Sequence, residues 1–122
     1  MRRYKVPVTT AADGSATAYT PRVAGLLHAI HYVKTDFADG VDFAISSEVT
    51  GESLWAESNV NAAAVRYPRA PTHSQAGAAA LFAADGTAVH DRIALASDRV
   101  KIVIAQGGNA KSGTFHILVD ND

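Results

Sequence analysis

The sequence has no cysteine, which excludes disulfide bonds, iron-sulfur clusters, cysteine-ligated zinc and thiol catalysis. Aromatic residues make up only 7% of the 122 residues, and no apolar run is long enough for a signal peptide or a membrane span. The chain also lacks an excess of either charge, because 11 Lys and Arg face 12 Asp and Glu, for a formal net charge of -1. We therefore expect a soluble protein without strong attraction to nucleic acid or an anionic membrane.

Alanine is abundant instead, with 24 residues that count toward the 48% hydrophobic content. Because alanine fills little volume, large side chains for a core are fewer than that percentage implies. Gly, Pro and Asn interrupt the alanine-rich stretches 61–64 and 76–80 before either reaches helical length. The length suits one domain, so we expect a single domain over residues 1–122 with no long helix.

Alternation of apolar and polar residues predicts strands. The clearest strand is 41–49, which places five residues on one face: Val41, Phe43, Ile45, Ser47 and Val49. The turn at 50–53 joins it to 54–60, so these two strands are expected to pair as a hairpin. Side chains alternate between the two faces of a strand, so if Leu54 and Ala56 are buried within 54–60, Trp55 points outward.

Near the C-terminal end, residues 99–105 and 114–119 are rich in β-branched side chains. The segment between them, 106–113, contains several residues that tolerate a positive φ. This arrangement predicts a second hairpin with a long tip.

Two further segments carry strand signals with a complication. Residues 4–9 include Pro7, which cannot donate a ladder hydrogen bond and therefore indicates an edge strand or a bulge. Residues 23–34 are apolar on both faces, which predicts either cover on both sides or a bulge near Gly25. Two shorter segments, 62–67 and 92–95, add further strand candidates. About seven or eight short antiparallel strands predict an all-β domain, either a β-sandwich or a jelly-roll-like fold.

No pattern predicts catalysis, a cofactor or a metal. Lys111 follows Ala110 where a phosphate-binding loop needs glycine, and strand-like residues come after it. His28 and His31, the closest histidine pair, point to opposite faces of a strand. Because there is also no Gly-x-Ser-x-Gly sequence to expose a nucleophile, we expect a protein that is not an enzyme.

The most distinctive loop is 67–73, where Pro68 and Pro71 fix φ. They would hold three interface-prone residues in extended positions: Arg66, Tyr67 and Arg69. The alternative is a stiff connection across one end of the sandwich.

Other candidate contacts are spread along the chain. Trp55 is either a core residue or an exposed anchor for a partner. Asn109 and Lys111 lie at the predicted hairpin tip, and the basic residues 1–5 could form a terminal arm.

Several stretches resemble a family of small proteins encoded by tailed bacteriophages and prophages near the major capsid protein. The likeness spans nearly the whole chain. It lies in YKVPV at 4–8, TGESL at 50–54, YPRA at 67–70, AGAA at 76–79, DRIALA at 91–96 and KIVIAQGG at 101–108.

This resemblance implies a virion structural protein made in the host bacterial cytoplasm. The near-neutral charge favours a capsid decoration or cement protein on the capsid surface, whose partners are the major capsid protein and further copies of itself. A head-tail joining or tail protein is the first alternative. A carbohydrate-binding module that stacks sugars on Trp55 and Tyr67 is the second.

Overall fold

Strands with one apolar face must bury that face against a second layer. In a computed structural model that describes residues 1–121, two antiparallel sheets of six and four strands pack as a sandwich. The strands are β1 (Arg2–Thr9), β2 (Ala16–Tyr19), β3 (Val23–Lys34), β4 (Val41–Ser47), β5 (Ser53–Val60), β6 (Ala64–Arg66), β7 (Arg69–Pro71), β8 (His90–Asp98), β9 (Val100–Ala105) and β10 (Ser112–Asp120).

The large sheet has the order β1-β10-β3-β8-β7, and the small sheet has the order β2-β9-β4-β5. The twelve-residue strand β3 pairs β8 along its first half and the short strand β6 along its second half. The predicted β-sandwich is confirmed, with ten strands rather than seven or eight. The strands that the sequence pattern missed are β2, which alternates alanine with polar residues, and β7, which ends at a proline.

The predicted C-terminal hairpin is wrong. Strand β9 lies between β2 and β4 in the small sheet, whereas β10 lies between β1 and β3 in the large sheet. The connection therefore crosses from one sheet to the other, and Thr10 holds it there. The Thr10 hydroxyl donates to the Gly108 carbonyl (2.5 Å) and accepts from the Lys111 N–H (2.9 Å). A Cβ on Gly107 would lie 2.8 Å from Thr10 Cγ2, so this crossing requires glycine.

The predicted pairing of 41–49 with 54–60 is confirmed, but its boundaries and parity differ. Strand β4 ends at Ser47, and Val49 lies in the turn with 73% of its surface exposed. Register shifts at two places along the β4–β5 ladder break the simple alternation of β5. Leu54 and Trp55 are consequently both buried, and Trp55 lies opposite Ile45 on the inner face.

The structure also answers the two questions raised by Pro7 in residues 4–9 and by the apolar residues on both faces of 23–34. Strand β1, which contains Pro7, is an edge of the large sheet, as predicted. The register of β3 against β8 shifts between Val23 and Gly25, so the bulge is confirmed. Gly25 has a φ of 134°, and a Cβ there would lie 2.5 Å from the Asp120 carbonyl oxygen.

Five aromatic side chains form the centre of the core between the sheets: Tyr32, Phe37, Phe43, Trp55 and Phe115. Phe43 contacts Tyr32, Phe115 and Trp55 edge-on, with ring centroids 4.7, 5.0 and 5.2 Å apart. Edge-to-face pairs at such distances are favourable beyond the area they bury. The cluster joins both sheets, because Tyr32 and Phe115 belong to the large sheet and Phe43 and Trp55 to the small one.

The Tyr32 hydroxyl is buried in this core without a hydrogen-bond partner among the described residues, and burial raises its pKa to about 12. We predict that Tyr32→Phe leaves the free energy of unfolding unchanged or raises it by up to about 1 kcal/mol, since an unsatisfied polar group is removed. Urea denaturation measures this. Phe43→Ala is the control and should cost about 3 to 5 kcal/mol. A loss above about 1 kcal/mol for Tyr32→Phe would contradict the prediction.

Candidate interaction surface

Trp55 and Arg66 meet at the open side of the sandwich between β5 and β6, where Glu57 joins them. Arg66 donates from Nε to Glu57 Oε1 (2.9 Å) and from Nη2 to Oε2 (2.8 Å). Trp55 Nε1 donates to the same Oε1 (3.0 Å), and the guanidinium lies 5.3 Å from the indole ring. The hydrogen bonds from Arg66 and then Trp55 lower the pKa of Glu57. This trio links the two sheets.

Trp55 is thus a core residue with 5% of its surface exposed, and the prediction of an exposed anchor is wrong. The cause is the irregular β4–β5 ladder, which places Trp55 on the inner face with Ile45. Arg66 is half-buried and engaged in the trio. Trp55 is therefore not available to a partner, whereas the Arg66 side chain is 42% exposed within the ion pair, and its contact role stays a prediction.

In the proline loop, the two predicted contact residues Tyr67 and Arg69 differ in exposure. Arg69 is half-buried, and its Nη1 donates to the carbonyls of Pro68 (2.8 Å) and His28 (3.1 Å). It therefore fixes the loop to β3. Tyr67 is exposed and contacts the His28 ring edge-on at a centroid distance of 5.8 Å. A contact role for Tyr67 stays a prediction.

The remaining predicted contacts are at the crossing between β9 and β10 and at the N-terminal end of the chain. Asn109 and Lys111 are exposed on the crossing between β9 and β10, and their contact role also stays a prediction. The predicted terminal arm is wrong, because residues from Arg2 onward belong to β1 and pair with β10. This strand instead places basic side chains along an edge of the large sheet.

The most exposed feature is residues 72–89, which connect β7 to β8 and which we call the arm. Its backbone folds back on itself, with N–H to carbonyl bonds from Thr72 to Val89 (2.8 Å), Val89 to Ala80 (2.9 Å) and Ala80 to Thr72 (3.0 Å). Isolated bridges within it join His73 to Ala79 and Leu81 to Ala88. Only four arm residues are even half-buried: Thr72, Ala80, Ala88 and Val89.

The arm carries two large apolar side chains into solvent. Phe82 is 74% exposed and Leu81 is 43% exposed, whereas the other three phenylalanines of the chain are buried. Adjacent exposed apolar side chains of this size are typical of protein contact sites. From the sequence, 76–80 indicated only an interrupted alanine run, and 72–73 belonged to the proline loop. The pair Leu81-Phe82 in a segment of small residues was the available signal.

A cleft of about 290 Å³ is lined by Arg22, Glu52 and Asp98 among others. Burial alone would raise the pKa of Asp98, but hydrogen bonds from the Val49 N–H, the Ser47 hydroxyl and the Arg99 N–H lower it. These bonds give Asp98 a structural role at the β8–β9 turn. Across residues 1–121, no group of three or more potential ligands could hold a metal.

Within that same range, no helix is long and apolar enough to cross a membrane. Comparison with models of known protein families gives no match, and comparison with curated proteins gives none either. The resemblance to bacteriophage proteins therefore stays a prediction.

We predict that Phe82→Ser changes the free energy of unfolding by less than about 0.5 kcal/mol, because the exposed ring adds little to the folded chain. Denaturant unfolding measures this. The same substitution at buried Phe43 is the matched control and should cost about 3 kcal/mol or more. A comparable loss for Phe82→Ser would show that the ring packs within the chain.

We also predict that Arg66→Ala lowers the free energy of unfolding at neutral pH by about 1 kcal/mol, a modest value because both partners are partly exposed to solvent. The pKa of Glu57 is lowered in the fold, so this stabilisation is present above its ordinary pKa of 4.5 and is lost as pH falls through the folded value. Unfolding curves at neutral and acid pH test this. A cost of Arg66→Ala that persists at acid pH would contradict the role assigned to Glu57.

Proposed function

We propose that the protein is a capsid decoration protein of a tailed bacteriophage, which binds the lattice of the major capsid protein and has no enzymatic role. The single observation that carries the proposal is the arm, which presents Leu81 and Phe82 to solvent on a rigid sandwich. The resemblance over nearly the whole chain supports the choice of a virion. The near-zero net charge suits a shell surface better than a channel that faces DNA.

The arm has the properties of a contact element used in assembly. Fully burying a leucine or phenylalanine side chain contributes about 1.5 to 3 kcal/mol, and the folded chain leaves most of this unused at Phe82. The arm's own backbone bonds reduce the conformational entropy that binding would cost. Binding can therefore gain this energy without refolding the sandwich.

On this proposal the function is mechanical. A domain that binds only the assembled lattice adds its binding free energy to the stability of the shell. Each contact is small, but repeated contacts on a symmetric shell act at high effective concentration. Tyr67, Asn109 and Lys111 are exposed and available as additional contacts with the shell.

The carbohydrate-binding alternative depended on two exposed aromatic residues. Burial of Trp55 leaves Tyr67 as the only one of that pair at the surface, so a stacking platform made from both is absent from the described chain. A head-tail joining role makes a different prediction about copy number, since it requires one ring of fixed size rather than coverage of a shell.

The test adds purified protein to capsids of the encoding phage from which this chain has been deleted, and measures occupancy by co-sedimentation and electron cryomicroscopy. We predict many copies over the shell, and at least about tenfold weaker binding for the double substitution Leu81→Ser with Phe82→Ser. Val49→Ser is the matched control, since Val49 is exposed to the same extent (73%) on another surface, and should bind normally.

Absence from the particle, or equal binding by the arm variant, would overturn the proposal. A single ring of copies at the portal or tail would replace it with the head-tail joining role.

A further inference from the structure

We propose that the arm of one copy docks into a groove on the large sheet of a second copy, so that two chains associate head to tail. This inference goes beyond shell binding, because it concerns a contact between copies of the chain. One Phe82 ring cannot occupy both contacts at once, so a copy whose arm is docked on a neighbour contacts the shell through its other exposed residues, Tyr67, Asn109 and Lys111. It begins from a second apolar feature of the surface, located on the outer face of strands β1, β10 and β3.

The groove is lined by Val33 and Leu118 together with Arg3, His31 and His116, and its volume is about 170 Å³. Val33 is 46% exposed. The strand register explains the arrangement, since His116 lies opposite His31 and Leu118 lies opposite Arg3. Inward-facing residues alternate with these along β10 and belong to the core, so the groove opens away from the sandwich.

The size of the groove fits the ring of Phe82, and Val33 and Leu118 give the ring two apolar side chains to contact. An apolar cavity of about 150 Å³ is known to hold a benzene molecule, so one phenyl ring is a reasonable occupant here. Burial, with help from Arg3, Lys5 and His31, lowers the pKa of His116 below its ordinary 6.5. The lowered pKa favours the neutral form of His116, which an apolar ring can contact without displacing water from a charge.

The arm carries a negative charge and the groove a positive one, which favours insertion of the arm of one copy into the groove of another. Asp85 lies in the same turn as Phe82, where the Phe82 N–H donates to the Thr87 carbonyl (3.0 Å). Arg3 lines the groove, and Lys5 lies opposite His116 at its side. Across residues 1–121, neither Asp85 nor Arg3 belongs to an ion pair, so each is available to the other.

The arm does not fill the groove of its own chain, where both Phe82 and Val33 are exposed. The opposite charges of Asp85 on the arm and Arg3 at the groove favour the groove of a second copy as the site that the arm occupies. A contact between two different surfaces of identical chains is heterologous, so it continues into a ring or an array. One ring and one leucine bury far less than the roughly 1,000 Å² expected of a stable interface. The association in solution is therefore weak, and a lattice that aligns neighbouring copies would strengthen it.

The absence of cysteine makes disulfide trapping a clean test. One variant carries Ala84→Cys beside Phe82, and the other carries Val33→Cys in the groove. The matched control replaces the second variant with Val49→Cys, an exposed valine on the small-sheet side. Equimolar mixtures are oxidised without any capsid, and the mixed disulfide is quantified by mass spectrometry. We expect at least about fivefold more product with Val33→Cys than with Val49→Cys.

A charge exchange tests the direction of the contact. Asp85→Arg in the arm variant should lower the mixed product roughly threefold or more, and Arg3→Asp in the groove variant should restore it. Equal yields for the groove and control positions, or a product dominated by two Ala84→Cys chains, would overturn the inference. Because no capsid is present in this experiment, such a result would overturn only the contact between copies and not the proposed binding to the shell. Conversely, efficient trapping of a chain that is absent from the particle would overturn only the proposed function.

Discussion

Large apolar side chains are scarce in this alanine-rich chain, and the fold depends on bringing five aromatic ones to one place. Tyr32 and Phe115 from the large sheet meet Phe43 and Trp55 from the small sheet, with Phe37 stacked against Tyr32. The neighbouring backbone is adapted to them, since a Cβ on Gly113 would lie 2.5 Å from the Phe37 ring. The sheets are held at this cluster, and Arg66 and Glu57 link them again at the side.

Because large apolar side chains are scarce, one that lies outside the core stands out. A chain with four phenylalanines buries three and leaves the fourth, Phe82, on an arm that adds little to the sandwich. The arm's backbone is nevertheless ordered by its own hydrogen bonds. A defined shape that exposes an apolar side chain is a feature expected of a protein that functions by assembly, and it is the basis on which we interpret this one.

The parts of the fold that local pattern could predict are those that local physics decides. The alternation from Val41 to Val49 identified β4, which ends two residues earlier at Ser47, and Pro7 identified an edge, because both signals act within one strand. The pairing of β9 and β10 failed because each strand is paired with distant partners, which a turn-rich connection does not reveal. Trp55 was predicted to face outward, but the two register shifts in the β4–β5 ladder place it on the inner face. The arm carried no periodic signal, so its exposure required the structure.

The most direct measurement of the central claim is hydroxyl-radical footprinting of Phe82 in the dilute free chain and in the assembled particle. We expect rapid oxidation of Phe82 in the free chain and strong protection in the particle, while Phe43 and Phe115 are protected in both. Equal oxidation of Phe82 in the two states would contradict the claim that the arm is buried on assembly.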